Sequence, residues 1–253
     1  MRYVPRPLMI RLSGLFSFFV APFYAGNNVE CPVCGSTFRT FLSYGERPTR
    51  KNVLCPKCLS LERHRLMWLF LKERTEFFSA PHRVLHLAPE QCFIKKFKAM
   101  ANIDYVTADL ESPIADLHFD LHDIPLPDND FDLIMCNQVL EHVADDRRVM
   151  RELLRILKPG GMAILQVPLD ADLEKTLEDP SITSPADREK CFGQHDHLRL
   201  YGMDYPDRLR EEGFTVTESD YLNEIPAEKR KRFRLPEKEI IHLALKSAGK
   251  NGF

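Results

Sequence analysis

The chain lacks a surplus of charge of either sign. Its 35 lysines and arginines face 37 aspartates and glutamates, a formal charge of −2. No global field therefore pulls it toward a phosphate backbone, which counts against nucleic acid as its partner. It also lacks an apolar run long enough for a bilayer. Residues 8–25 are largely apolar, but Arg11, Ser13, Gly14, Ser17 and Pro22 interrupt them, and a spanning helix needs about 20 apolar residues in a row. The even cysteine count of a disulfide framework is missing too. There are seven cysteines, four of them in two CxxC pairs, a pattern suited to metal binding in a reducing compartment. With 44% hydrophobic and 28% charged residues, the composition is not that of a disordered chain. These features predict a cytoplasmic protein with one α/β domain and a small appendage.

Residues 1–27 carry Arg2, Arg6 and Arg11 ahead of Phe16, Phe18, Phe19, Phe23 and Tyr24. An interfacial or core-packing helix is the expected form. Peripheral attachment to a membrane surface through residues 8–25 and a cleaved signal are the alternatives.

In the next segment, 28–60, Cys31-Pro-Val-Cys34 and Cys55-Pro-Lys-Cys58 are separated by 20 residues, the spacing of paired knuckles on a small ribbon. Each CxxC lets two thiolates converge on one ion, and zinc accepts four such ligands tetrahedrally, so a closed structural zinc site is expected. Cys92, Cys136 and Cys191 have no partner at metal spacing and are read as structural. Ser60 predicts an N-cap for a helix through Phe77 with Leu61, His64, Trp68 and Leu71 at helical spacing. Residues 61–80 would thus connect the ribbon to a domain over 81–253, with His64 a packing or polar contact.

From Arg83 onward short apolar runs alternate with helical stretches, the sign of βαβ units and a largely parallel sheet. Strands are predicted at Val84–Ala88, Tyr105–Ala108, Leu133–Cys136 and Met162–Val167, and helices at Cys92–Met100 and Asp145–Leu157. The latter ends at Lys158-Pro-Gly-Gly161, which cannot continue a helix. Ligands of such sheets bind beyond the carboxyl ends of the strands.

Four features in order then resemble the class I S-adenosylmethionine-dependent methyltransferases over about residues 83–170. They are the strand end Val84-Leu-His-Leu-Ala-Pro-Glu90, the acid Asp109, the run Asp120 to Asp132, and Val139-Leu-Glu-His142 followed by Lys158-Pro-Gly-Gly161. With the CPxC knuckles, Ser60-Leu-Glu-Arg-His-Arg65 and Phe192-Gly-Gln-His-Asp-His197, the chain is similar to bacterial methyltransferase-domain proteins carrying an N-terminal ribbon-like module. The resemblance implies a Rossmann-like fold: a mostly parallel seven-stranded sheet with helices on both faces, plus the small zinc ribbon. It implies S-adenosylmethionine as cofactor, Asp109 on the ribose hydroxyls, and Asp120 with the Leu121 backbone at the adenine edge. One departure stands out. The family's first loop is usually glycine-rich, whereas here it is Ala88-Pro89-Glu90. Ala88 is small enough to replace the first glycine, Glu90 could grip the cofactor's ammonium, and His86 could sit near that group or pack.

Methyl transfer needs an aligned acceptor and, for a hydroxyl or amine, removal of a proton. His142, after the central strand, is a candidate for that role or a residue that orients its loop. Asn137 could bind a ligand or cap the next helix. His195 and His197 flank Asp196; a lone HxH is short of a metal ligand set, so substrate binding or acid–base work is expected, with surface histidines the alternative. Glu178 to Pro185 reads as a loop able to close over a substrate. A helix at Asp204–Glu212 and strands near Phe214–Glu218 and Ile240–Leu245 complete the tail, with the basic run Lys229 to Arg234 read as a solvated loop or an anion contact. The expected function is methyl transfer to a small molecule, lipid or saccharide. The alternatives are an RNA methyltransferase using the ribbon, and an inactive methyltransferase-like protein that binds partners.

Overall fold

The computed structural model describes residues 14–45 and 49–249. Residues 1–13, with their three arginines, and Pro48 lie outside the described residues. Residues 14–20 are helical and lead into a turn at Ala21–Tyr24. Leu15, Phe16, Phe18, Phe19 and Phe23 are exposed, while Ala21 and Tyr24 pack on the core. Among the described residues no helix is long and apolar enough to cross a membrane.

Two antiparallel hairpins form the cysteine module: β1 (Ala25–Cys31) with β2 (Ser36–Phe38), and β3 (Leu42–Tyr44) with β4 (Arg50–Leu54). Helix α1 (Glu62–Arg74) follows. Its cap differs from the expected one. The Leu61 amide donates to His64 Nδ1 at 3.1 Å, so a side chain one turn inside the helix satisfies the orphan donor. Ser60 is thereby released, and its hydroxyl lies 3.1 Å from Cys31 Sγ and 3.3 Å from Cys58 Sγ.

The main sheet runs through β5 (His82–Leu87), β6 (Ile103–Asp109), β7 (Leu117–His118), β8 (Phe131–Asn137), β9 (Leu157–Gln166), β12 (Thr215–Ser219) and β13 (Ile241–Leu245). Their spatial order is β12-β13-β9-β8-β5-β6-β7. Pairing is parallel from β7 to β9, whereas β13 runs antiparallel to both β9 and β12. This is the seven-stranded Rossmann-like arrangement. Its central strands are apolar almost throughout, Phe131-Asp-Leu-Ile-Met-Cys-Asn137 for example, because helices and the cysteine module cover both faces. The succession reverses between β5 and β8, which opens a crevice at their carboxyl ends.

Helix α2 (Gln91–Lys98) follows β5 and α3 (Asp146–Ile156) precedes β9. Asp145 caps α3 by accepting from the Arg148 amide at 2.9 Å, and Val149, Met150, Leu153 and Ile156 bury one face. The Lys158-Pro-Gly-Gly161 segment belongs to β9 itself, where Gly160 takes a φ of +81°. Between β9 and β12 lie a short ribbon of β10 (Leu177–Glu178) and β11 (Arg199–Leu200), helix α4 (Pro185–Phe192) and α5 (Tyr205–Glu211), and α6 (Tyr221–Glu224) follows β12.

The basic run Lys229 to Arg234 is not a solvated loop. It forms most of α7 (Ala227–Phe233), which packs on β1. Arg232 bonds to Glu30 and Asn27, and the carbonyls of Phe233 and Arg234 receive the buried guanidinium of Arg65 at 2.7 and 2.6 Å. The same guanidinium donates to Val53 and Ser60 and lies over Phe41. One arginine thus ties ribbon, α1 and tail together, and Phe38, Phe41, Leu66, Phe93 and Ile241 share one hydrophobic core. The module is built into the fold.

Candidate functional site

Each of the two strands bordering the crevice is followed by a non-glycine residue in the left-handed region. Ala88 has φ +46° after β5, and Gln138 has φ +57° after β8. The first loop therefore keeps the backbone bend of a glycine turn without a glycine, at a cost of about 1 kcal/mol. The Ala88 amide is held by the Ala108 carbonyl at 2.9 Å, and the Gln138 amide by the Gln166 carbonyl at 2.7 Å.

Glu90 stands at the N-terminus of α2, where the helix dipole favours an anion. Its carboxylate bonds to His86 Nε2 and accepts from Asn137 Nδ2 at 3.1 Å. His86 is fully buried, and its Nδ1 lies 2.7 Å from the Tyr105 hydroxyl. Burial opposes ionisation of Glu90, yet the His86 ring and the Asn137 amide hold its pKa down at about 2. The site therefore contains a buried carboxylate, and it also contains unmet capacity. Asn137 Oδ1 and His64 Nε2 are buried without a partner on the crevice that Glu90, Arg63 and Gln166 line. Burial depresses the His64 pKa to about 3, so this ring is neutral.

Asp109 ends β6, and its Oδ1 accepts from the Glu111 and Ser112 amides at 2.9 and 2.8 Å. Asp120 is exposed and lies beyond β7. Its Oδ1 accepts from the His122 amide at 2.9 Å and meets His122 Nδ1 at 2.6 Å, and these bonds lower its pKa. Leu121 is partly buried against the core. On the other side of the crevice a cleft of about 610 Å³ opens beyond β8 and β9. Gln138, Val167 and Leu169 line it from the sheet, Arg63 from α1, and Ile240 and His242 from the tail.

His142 and His197 come together from distant positions, their rings 4.8 Å apart and edge to face. Glu141 joins them: the Sγ-free donor set of Glu141, His142 and His197 can present three ligand atoms within 4.8 Å of one another. Burial raises the Glu141 pKa to about 7 and lowers that of His197. His195 is exposed and outside this cluster. Neither Glu141 nor Arg199, which fastens this loop through three carbonyls, stood out in the sequence. The Leu-Glu-His142 motif contained the only available signal. Glu178, at the start of the 178–185 loop, is anchored to Arg199 and Arg208.

The four cysteine sulfurs also lie within 4.8 Å of one another, with Cys31 and Cys58 3.5 Å apart and Cys34 and Cys55 3.7 Å apart. Around a tetrahedral ion with bonds of about 2.3 Å, thiolates stand about 3.8 Å apart, so the set fits. The two knuckles share a turn in which the Gly35 amide meets the Cys31 carbonyl and the Leu59 amide the Cys55 carbonyl, both residues having positive φ. Hydrogen bonds among the sulfurs push the Cys34 thiol below its ordinary pKa and that of Cys58 above it. Four thiolates at this distance repel one another unless a cation lies between them.

A methyltransferase-domain family model matches residues 75–165. A probable S-adenosylmethionine-dependent methyltransferase of Mycolicibacterium smegmatis is 37% identical over 51 residues, 20% of each chain. The ubiquinone/menaquinone biosynthesis C-methyltransferase UbiE of Pseudoalteromonas translucida is 38% identical over 66 residues, 26% of this chain and 22% of that one. The chain spans less than a quarter of the length of these curated relatives. Among solved structures, YcgJ of Bacillus subtilis superposes with a TM-score of 0.50 at 15% identity, over 74% of this chain and all of that one. The [4+2]-cyclase SpnF gives 0.51 at 13% identity, over 96% and 95%. Such likeness carries the fold alone, and a cyclase on it shows that the fold does not dictate the reaction. Residues 75–165 thus match a methyltransferase-domain family model, and the sheet to which they contribute its parallel core has the Rossmann-like strand order of that fold.

Proposed function

We propose that the protein transfers a methyl group from S-adenosylmethionine to a small molecule, lipid or saccharide held in the cleft beyond β8 and β9. The cofactor supplies an electrophilic sulfonium methyl. The observation that carries this reading is the Glu90 carboxylate and the unpartnered Asn137 Oδ1 on one crevice, two acceptors matched to an ammonium. His86 would keep Glu90 ionised and aimed, and Ala88 would let the backbone approach closely. Asp109 would hold the ribose hydroxyls, and Asp120 with the Leu121 amide the adenine edge. His142 and His197 would orient the acceptor, with His195 exposed on the same segment. We infer further that Cys31, Cys34, Cys55 and Cys58 hold a structural zinc ion, supported by their fit to a tetrahedral thiolate site.

Asp109→Ala tests the cofactor assignment. It should weaken S-adenosylmethionine binding by about tenfold or more in calorimetry while the melting temperature changes little. Unaltered affinity would remove Asp109 from the site.

A further inference from the structure

Of the HxH pair only His197 enters a cluster of donors, and the fold brings it two more from another segment, Glu141 and His142. We propose that Glu141, His142 and His197 form a second metal site that takes a divalent first-row transition ion through two imidazole nitrogens and one carboxylate oxygen.

Three independent features of the cluster support this. The first is unmet valence. The Glu141 side chain is only 2% exposed, and its Oε2 has no hydrogen-bond partner. A carboxylate oxygen in that position lacks the donor that buried polar groups ordinarily find, and a cation would satisfy it.

The second is the way both rings are turned. His197 Nδ1 lies 3.0 Å from the Phe192 carbonyl and donates to it, which leaves Nε2 as the free nitrogen. His142 Nδ1 faces Asp196, 3.3 Å from its carbonyl and 3.5 Å from its carboxylate, while Nε2 lies 4.0 Å from Glu141 Oε1. A metal-binding histidine characteristically gives its other nitrogen to a carbonyl or carboxylate, which fixes the tautomer and the ring's direction. Both histidines do so here. Donors around an ion with bonds of about 2.0–2.2 Å stand about 3–3.5 Å apart, so the set closes on an ion by side-chain movements of about 1 Å.

The third is preorganisation. The Glu141 carbonyl receives the Leu198 amide at 2.8 Å, joining the two segments between the ligands. The buried Arg199 donates to the carbonyls of Leu140, Val143 and Ala144, and the Tyr201 hydroxyl to Leu140 and Asp146. The backbone carrying the ligands is thus held from both sides, as a metal site requires. The His142 side chain remains 34% exposed. An ion there keeps coordination positions open, unlike one among four thiolates. Two histidines and one carboxylate suit zinc or iron.

The inference does not depend on methyl transfer, because it is read by counting ions. Native mass spectrometry of the full-length protein equilibrated with Zn²⁺ should find one ion fewer in His197→Ala than in the wild type. The same loss is expected in His142→Ala, a change at a partly exposed ring that leaves the fold intact, as circular dichroism would verify. His118→Ala, on the exposed edge strand β7, should retain the wild-type count. Calorimetric Zn²⁺ affinity at this site should fall at least about a hundredfold in His142→Ala. Equal ion counts in the wild type, His142→Ala and His197→Ala, or an equal loss in His118→Ala, would overturn the proposal.

Discussion

The cysteine module and the ligand end of the sheet satisfy their polar groups in opposite ways. Among the described residues of the module the main polar groups are paired: the Ser60 hydroxyl lies against two sulfurs, and Arg65 donates to four carbonyls from three segments. At the ligand end Asn137 Oδ1, His64 Nε2, Glu141 Oε2 and His242 Nδ1 are buried without hydrogen-bond partners, beside the left-handed turn at Ala88. Closed, satisfied polar groups stabilise one conformation. Unsatisfied groups on a strained loop cost free energy in the empty protein, and a ligand recovers it. One region maintains the fold, and the other is built to receive something.

The largest effect expected from this contrast lies in the module. Replacing Cys31 and Cys55 with serine should abolish the proposed zinc binding and lower stability by about 5 kcal/mol or more, because the binding energy of a structural ion adds to folding free energy. Thermal unfolding with metal analysis checks this, and full stability without bound metal would dissolve the comparison. Arg65→Ala comes next. It strands four buried carbonyls and frees the tail from the ribbon, so denaturant unfolding should show a loss of about 3 kcal/mol. A loss below about 0.5 kcal/mol would mean that the module is an appendage after all. The smallest effect belongs to the ligand end and has the opposite sign. Ala88→Gly relieves the left-handed backbone and should raise stability by about 0.5–1 kcal/mol without weakening cofactor binding. A loss of stability would mean that the bend at Ala88 stores no strain.

The parts legible in the sequence were those whose determinants are local. The four cysteines sit within 28 positions, so their spacing alone announces them. The central strands fall on the predicted apolar runs because both faces of a parallel sheet are covered. What depended on contacts across the chain was hidden. Arg65 meets carbonyls 168 and 169 positions away, so nothing near it marks a buried arginine, and the basic run to Arg234 looked solvated because its partner was out of sight. Ser60 resembled a cap until His64, three residues into the pattern, took the Leu61 amide instead. His197 stood beside the wrong neighbour, since its companions at 141 and 142 arrive through the Leu198 and Arg199 contacts rather than through spacing.

The central claim is that a glycine-free loop at Ala88-Pro89-Glu90 still serves a cofactor site. Calorimetric titration of the full-length, zinc-loaded protein with S-adenosylmethionine, and with its demethylated product, tests it most directly. Binding of both at about micromolar affinity, lost on changing Glu90→Gln, is the result expected. No binding of either at millimolar concentration would contradict it and leave a methyltransferase fold without its cofactor.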